Sequence, residues 1–389
     1  MSVSLPPSLA RPWPRREDFR QPANYYSAVL SEIGRAPLRL AGRALTRNLP
    51  PSPPAAWRHG LLLGASHIGD VLYNTPSLPA LRAGLPDCRW TYLVSGASAQ
   101  ILEGNPNIDR VVSISEAGFR QRLPRACSAL AGQTFDVAIA YGGIPWQDLA
   151  IALKLRIPNR VGYVHKGFSG LVTHPVTLHF PQPYPAYFRD LVSQLTGLPG
   201  DWPLRPLVYL SPAHENAVEA AAAGLGLDFK KKPVLACSVT SRQPTGIWPE
   251  KKFFETIQSV RRQVDCAILY TGAKSDAPQL ARLVAQTGAD AFALAGTLEL
   301  LPMIALLRRC RAALTPDSGA RHLANAAGIP AVFLRNLFNR KIETGAYCDT
   351  DHDMTPPDLE LLSAEERQAA FAAVEPERVA AEIVSLLRT

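Results

Sequence analysis

The chain contains two series of short apolar segments that alternate with helical patterns. The first series has four strand-like runs, at residues 60–63, 90–94, 110–114 and 135–140. The second has five, at residues 234–238, 266–270, 291–294, 312–315 and 331–334. Strands that alternate with helices build parallel sheets covered by helices on both faces. We therefore expect an α/β fold with two Rossmann-like, doubly wound domains facing each other across a cleft.

A polar, proline-rich section separates the two series, and 389 residues exceed what one hydrophobic core usually holds. We place the hinge at residues 204–212. The predicted organisation is an N-terminal extension and linker at residues 1–57, a first domain at 58–205, a second domain at 206–374 and a final helix at 375–389.

Most of the positive charge lies in the N-terminal extension. Residues 1–57 contain eight Arg, no Lys and three acidic residues, so they hold +5 of the formal net charge of +8. Arg35, Arg39, Arg43 and Arg47 recur every four residues, with Pro37 expected to interrupt the helix. The pattern fits a helix that packs on the body with a solvated Arg face, or a helix that lies on an anionic membrane.

Composition excludes several classes of protein. The nearly neutral body lacks the basic stripe of a nucleic-acid-binding domain, and no segment has about 18 uncharged apolar residues for a membrane span. Prolines and arginines break up the apolar core that a signal peptide needs. The six cysteines form no C-x-x-C pair, which favours a reducing compartment. We expect a cytoplasmic protein, with a peripheral position at the inner membrane as the alternative that the basic extension leaves open.

The first candidate site is the turn that follows the strand at residues 60–63. Ser66-His67-Ile68-Gly69-Asp70 would open a helix, and Gly69 allows a ligand to approach the backbone closely. Asp70 has two interpretations. It is either an acidic first-turn residue that the helix dipole favours, or a carboxylate that accepts a proton from an incoming hydroxyl.

The second candidate site is the corresponding turn in the second series, from Thr315 to His322. The backbone N–H groups at the helix start, with Ser318 and Gly319, suit a phosphate or diphosphate. The alternative is that Asp317 or Ser318 only caps the helix. A similar turn, Ser238-Val239-Thr240-Ser241-Arg242, adds hydroxyl donors and a permanent charge.

A run of acidic residues follows the last apolar segment, at Asp349, Asp351 and Asp353 around His352. Alternating carboxylates with a histidine hold divalent cations in some proteins. We favour a solvated acidic loop here and expect no metal site.

These turns together resemble glycosyltransferase family 9, the heptosyltransferases of lipopolysaccharide core assembly and their relatives. The resemblance runs from about residue 58 to 388, because several motifs occur in the family's order. They are residues 60–70 followed by Val71, Leu72, Thr75, Pro76, Leu78, Leu81 and Arg82, then residues 102–109, Leu294-Ala295-Gly296, Asp317-Ser318-Gly319, His322-Leu323-Ala324, Gly328-Ile329-Pro330 and residues 375–379.

The resemblance implies a GT-B fold whose last helix crosses back to the first domain. It also implies inverting, metal-independent transfer of a sugar from a nucleotide diphosphate, with ADP-heptose as the expected donor and a lipopolysaccharide-core or other saccharide or glycolipid as acceptor. Asp70 would be the general base, and no cofactor is needed. The implied donor-binding residues are Ser66, Gly69, Thr240, Ser241, Arg242, Asp317, Ser318, Gly319 and His322.

Lys166 is the candidate for anionic groups of the acceptor, because it lies in a segment that resembles the acceptor side of the family. The chain departs from the family at Gly246, where a lysine usually precedes the Trp-Pro pair. It also departs near Tyr270, where the family often supplies a carboxylate to the nucleotide and this chain has Lys274 and then Asp276. Two alternatives follow. One is the same catalysis with another nucleotide sugar or with a small-molecule or protein acceptor, and the other is a GT-B protein that binds nucleotide sugars without turnover.

Overall fold

The protein divides into two compact units, with the division between Leu204 and Arg205. The computed structural model describes residues 35–46, 49–64, 67–115, 119–140, 145–163, 169–177, 179, 182–241, 247–336, 341–357, 359 and 362–389. Each unit is built around one parallel, six-stranded sheet.

The sheet of the first unit has the strand order β3-β2-β1-β4-β5-β6. Its strands are β1 (His59–Leu63), β2 (Arg89–Ser95), β3 (Arg110–Ile114), β4 (Val137–Ala140), β5 (Asn159–Tyr163) and β6 (His174–Val176). Leu62 lies opposite Tyr92 on one side and Ile139 on the other. The strand order reverses between β1 and β4, which is the switch point of a doubly wound sheet.

Six α-helices are described in the first unit. They are α1 (Arg35–Leu45), α2 (Ile68–Asn74), α3 (Leu78–Gly84), α4 (Phe119–Ala129), α5 (Pro145–Lys154) and α6 (Tyr184–Thr196). Pro37 was expected to interrupt α1, but it lies in the first turn, where the missing N–H costs no helical hydrogen bond. A core of Leu61, Leu63, Leu93 and Ile151 joins the sheet to its covering helices.

The sheet of the second unit repeats this order, as β12-β11-β10-β7-β8-β9. Its strands are β7 (Val234–Cys237), β8 (Ala267–Gly272), β9 (Ala291–Ala295), β10 (Ala312–Pro316), β11 (Ala331–Leu334) and β12 (Asp351–Asp353). All five pairings are parallel. The switch point of this unit lies between β7 and β10.

The described helices of the second unit cover both faces of its sheet. They are α7 (Pro212–Leu225), α8 (Glu250–Gln263), α9 (Ala277–Thr287), α10 (Leu300–Leu307), α11 (Gly319–Ala327), α12 (Lys341–Thr344), α13 (Ala364–Ala372) and α14 (Pro376–Arg388). The helix that was expected to cross back to the first domain is α14. It packs on α8 and buries Val379 and Ile383 in the second unit's own core.

Three strands were absent from the apolar pattern. β6 and β12 have only three residues each, and β12 is Asp-His-Asp. β5 begins with Asn159 and Arg160, yet all of it is buried. The polar ends of Asn159 and Arg160 are satisfied locally, since Arg160 Nε donates to Leu171 O at 2.6 Å and Asn159 Nδ2 to Asp136 O at 2.7 Å. Buried polar residues with partners of this kind interrupt an apolar run without interrupting a strand.

Candidate functional site

The switch point of the second unit brings two of the sequence-predicted turns together. β7 and β10 are neighbours, and their pairing continues to Ser238, whose N–H donates to Leu314 O at 3.0 Å. Thr240 and Ser241 therefore follow one strand, and the Asp317-Ser318-Gly319 turn follows its neighbour. In open α/β sheets, ligands bind outside the carboxyl ends of the strands at this point.

The start of α11 has the features of an anion site. Ser318 is the N-cap residue in extended conformation, and its side chain makes no capping hydrogen bond. Gly319 opens the helix, and a Cβ added there would meet no atom within 4 Å among the described residues beyond its own stretch of chain. The first N–H groups of a helix lack partners within the helix and attract negative charge. The space above Gly319 therefore lets an anion approach these groups directly.

Asp317 is held in place from within the same helix. Its Oδ1 lies 3.2 Å from Arg321 Nη1, one turn along α11, and its side chain is only 5% exposed. The Asp317 N–H donates to Leu334 O at 3.0 Å, which attaches the turn to β11. Asp317 is thus part of a buried ion pair, so the interpretation of this residue as a simple N-cap does not describe it.

Arg321 is the centre of a buried network that sequence reasoning missed. Its side chain is fully buried and forms a bidentate pair with Asp351 at 3.0 and 2.8 Å. It also donates to Thr344 O at 2.6 Å and Gly345 O at 2.7 Å, and it lies 3.6 Å over the Phe333 ring. The network ties α11 to the segment between α12 and β12. The only signal in the sequence was the four-residue spacing of Asp317 and Arg321.

His322 is buried beside this network. Its Nδ1 lies 2.9 Å from the hydroxyl of Tyr347, and the two rings are 5.9 Å apart. Burial, helped by the neighbouring Arg321 charge, lowers the pKa of His322 to about 4. The imidazole is therefore neutral at neutral pH, and it offers a ligand a hydrogen bond rather than a positive charge.

The protein should lose stability as the pH falls from 6.5 towards 4, in part through His322. The unfolded chain binds a proton at its ordinary pKa of 6.5, whereas the folded chain does so only near 4. This contribution of about 3 kcal/mol is complete above pH 6.5 and lost near pH 4. Beside the ring, the pairing of Arg321 with Asp351 outweighs the effect of burial, raises the pKa of Arg321 and lowers that of Asp351, so both stay charged across most of this window.

Urea unfolding of wild type and His322→Asn across this pH range measures the effect. The variant should show a flatter pH dependence, and the exposed His59→Asn should keep the wild-type slope. Equal slopes in wild type and His322→Asn would contradict the assignment of a neutral, buried His322.

Thr240 contacts the end of the neighbouring strand β8. Its hydroxyl donates to Asp276 Oδ2 at 2.9 Å, and the same oxygen accepts from the Ala273 N–H at 2.9 Å. The Asp276 carboxylate therefore holds the Thr240 turn against the end of β8.

Asp70 lies in the first turn of α2, in the first unit. Its position agrees with the helix-dipole interpretation, and its Oδ2 also accepts a hydrogen bond from the His67 N–H at 3.1 Å, a capping bond that was not predicted. A carboxylate has two oxygens and can accept more than one hydrogen bond. Capping and proton acceptance are thus compatible at Asp70. Gly69 precedes it in the same turn.

Five residues named individually in the sequence analysis lie outside the described residues. They are Arg47, Ser66, Lys166, Arg242 and Gly246.

The acidic side chains of residues 349–353 form ion pairs with arginine side chains of the protein. Asp349 pairs with Arg205 at 2.7 Å, Asp353 with Arg335 at 3.0 Å, and Asp351 with Arg321. His352 Nδ1 lies 2.7 Å from Glu382. Within the described ranges, no group of three or more His, Cys, Asp or Glu side chains is arranged to hold a metal ion. The run is therefore neither a metal cluster of described residues nor a simple solvated loop, because Asp351 is buried.

Comparison with known proteins identifies the family. The model for glycosyltransferase family 9 (heptosyltransferase) matches residues 125–357, more than half of the chain. The chain belongs to glycosyltransferase family 9. It is a glycosyltransferase, and the expected α/β class with two Rossmann-like sheets of the GT-B type is confirmed.

Two curated relatives in this family are similar to most of the chain. Lipooligosaccharide heptosyltransferase 2 of Haemophilus influenzae is 21% identical over 320 residues, which cover 76% of this chain and 85% of that protein. Lipopolysaccharide heptosyltransferase 2 of Salmonella typhimurium is 22% identical over 316 residues, covering 76% and 84%.

Two solved structures of the family share the fold. The family 9 glycosyltransferase from Veillonella parvula superposes with a TM-score of 0.73 at 20% identity, covering 85% of this chain and 98% of that chain. The ADP-heptose lipopolysaccharide heptosyltransferase II of E. coli gives 0.67 at 18% identity, with the same coverage. In the part of this family 9 chain that the structure describes, no helix is long and apolar enough to cross a membrane.

Proposed function

We propose that this family 9 enzyme transfers heptose from ADP-heptose to a saccharide acceptor of the lipopolysaccharide core, with inversion at the anomeric carbon and without a metal ion. Similarity to two heptosyltransferases that are named for lipooligosaccharide or lipopolysaccharide supports this substrate class. The observation that most supports donor binding is the open helix start at Ser318 and Gly319, at the switch point of the second sheet.

The donor diphosphate would bind at the start of α11. Its negative charge grows as the bond to the sugar breaks, and helix-start N–H groups stabilise developing charge of this kind without a cation. The neutral His322 would donate a hydrogen bond to the nucleotide sugar, and Ser241 would contact it from the turn that Thr240 holds to Asp276. Asp317, held by Arg321, would orient the sugar.

Asp70 would act as the general base. The acceptor hydroxyl oxygen attacks the anomeric carbon of the donor, and the bond between that carbon and the diphosphate oxygen breaks. The hydroxyl proton passes to the Asp70 carboxylate, and the nucleoside diphosphate leaves with the electron pair. Attack opposite to the leaving group inverts the configuration of the sugar.

Thermal-shift titrations of wild type and Gly319→Ala with a panel of nucleotide sugars test the proposed position of the diphosphate. Alanine should raise the stability of the ligand-free protein by about 0.5–1 kcal/mol, because glycine in a helix is entropically costly. It should weaken donor binding about tenfold, because the added methyl occupies the space through which the anion approaches. Thermal-shift titration with ADP-heptose measures both effects on one protein.

Gly224→Ala is the matched control. Gly224 lies in α7, and a Cβ there would also meet no atom within 4 Å. This variant should gain similar stability and bind the donor normally. Equal donor affinity in wild type and Gly319→Ala would contradict the proposed diphosphate site.

The same panel distinguishes a second candidate function. Gly246 stands where the family usually has a lysine, so transfer from a different nucleotide sugar is the alternative. A larger thermal shift with a UDP- or GDP-sugar than with ADP-heptose would favour that alternative.

Transfer should continue in the presence of EDTA. Asp349, Asp351 and Asp353 are already paired with arginines, which leaves the helix start to stabilise the leaving group. A radiolabelled-transfer assay with and without the chelator checks this. Loss of activity with EDTA that a divalent cation restores would contradict metal independence.

The partners proposed for the enzyme are a nucleotide sugar and a saccharide or glycolipid acceptor. A peripheral position at the inner membrane, through residues 1–57, is part of the proposal.

A further inference from the structure

Helix α1 packs on the first unit with one narrow face. Leu38, Gly42 and Thr46, spaced four apart, form this face, since Leu38 packs beside Leu171 and both Gly42 and Thr46 are buried. A Cβ on Gly42 would lie 3.5 Å from Leu171 Cδ2. The helix is thus held against the turn at Ser169–Leu171 by its smallest residue, and most of its circumference faces outward.

A second face of α1 is apolar and exposed. Every residue on it is exposed and lies three or four positions from another member of the set, which is Pro37, Leu40, Ala41, Ala44 and Leu45. Leu40 is 66% exposed and Leu45 is 55% exposed. No other large apolar side chain in the described ranges is as exposed as these two. Burying apolar surface is favourable, so a continuous exposed face of this kind indicates a partner.

The charge beside this face defines the partner. Arg39 and Arg43 are exposed, lie one helical turn apart and lie between the packed face and the apolar face. Residues 35–45 contain no Asp or Glu. An apolar face bordered by arginines, with no acidic residue, is the pattern of a helix that lies in the headgroup region of an anionic bilayer. A second copy of the chain is a poorer partner, because a two-fold interface would bring the two arginine rows together.

We propose that α1 docks this enzyme on an anionic lipid surface. Leu40 and Leu45 enter the boundary between headgroups and acyl chains, and Arg39 and Arg43 bind lipid phosphates. The inference rests on the peripheral position proposed above for residues 1–57 and assigns it to α1. It concerns lipid binding alone, so its test does not depend on the identity of the sugar donor or the acceptor.

Sedimentation of the full-length protein with lipid vesicles tests the proposal. Wild type should bind vesicles that contain phosphatidylglycerol and bind pure phosphatidylcholine more weakly. Leu40→Ser/Leu45→Ser should lose about tenfold or more in apparent affinity, because two buried side chains no longer enter the bilayer. Arg39→Gln/Arg43→Gln should lose about fivefold per arginine, and only on anionic vesicles.

Matched variants elsewhere in the chain control for general effects. Leu207→Ser removes another exposed leucine, and Arg262→Gln/Arg378→Gln removes two exposed arginines of the second unit. Both should bind vesicles as wild type does. The proposal is overturned if the α1 variants and these controls bind equally. It is also overturned if wild type is a dimer in analytical ultracentrifugation that Leu40→Ser/Leu45→Ser dissociates without changing vesicle binding.

Discussion

Asp70→Asn should abolish sugar transfer while leaving donor binding intact. Asparagine keeps an oxygen that accepts the His67 N–H, so the first turn of α2 should remain capped. It has no basicity at neutral pH, and loss of a general base lowers turnover by about 10²–10⁴-fold. We therefore expect turnover to fall by this factor, with the thermal shift produced by ADP-heptose unchanged.

The control for this variant is Glu377→Gln, which removes an exposed first-turn carboxylate from α14. It removes the same kind of helix-dipole interaction, worth about 0.3–1 kcal/mol, at a residue that has no proposed role in sugar transfer. Turnover should remain at the wild-type level. If Asp70→Asn also retained wild-type turnover, the carboxylate would be a cap and the base would be another group.

Arg321→Met should destabilise the second unit by about 3–5 kcal/mol, because it leaves the buried Asp351 and Asp317 carboxylates without their cation. Removing the charge of Asp351 as well should recover part of the loss, so Arg321→Met/Asp351→Asn should be more stable than Arg321→Met. Asparagine at position 351 can still accept the Tyr347 N–H that Asp351 accepts at 3.0 Å. Urea unfolding followed by circular dichroism measures the three proteins.

Arg282→Met is the matched control for Arg321. Its guanidinium pairs with Glu250 at 2.6 Å, but the two side chains are 54% and 33% exposed. An exposed pair of this kind contributes less than about 1 kcal/mol. Equal destabilisation by Arg282→Met and Arg321→Met would show that the buried network has no special role. A double variant no more stable than Arg321→Met would show that Asp351 is not the uncompensated charge.

The turns at Asp70 and Asp317 could be located from the sequence because each follows a continuous apolar run. A run of this kind in a central parallel strand is buried on both faces, so its pattern survives in the sequence. The loop residues that follow such a strand are therefore candidate site residues, whatever the position of the strand in the sheet. The chain length and the proline-rich section between the two apolar series likewise indicated two domains.

The partners of the site residues could not be predicted in this way. Asp351 lies 30 residues beyond Arg321 in the chain. It comes to its position because β12 pairs with β11 in parallel, with Ala331 opposite Asp351. The Asp-His-Asp strand resembles a solvated loop in sequence, because nothing local shows that Arg321 and Arg335 will neutralise it. The neutral state of His322 depends on burial by the same assembly.

The amino-acid sequence by itself determined the α/β class, the two-sheet organisation and the family, because these depend on patterns of neighbouring residues and on motif order. Only the tertiary structure decided which charges meet, that Asp351 and Asp317 share one buried arginine, and that α1 turns Leu40 and Leu45 outward. Ion pairing and burial are set by distances between residues far apart in the chain, and local periodicity contains no information about those distances.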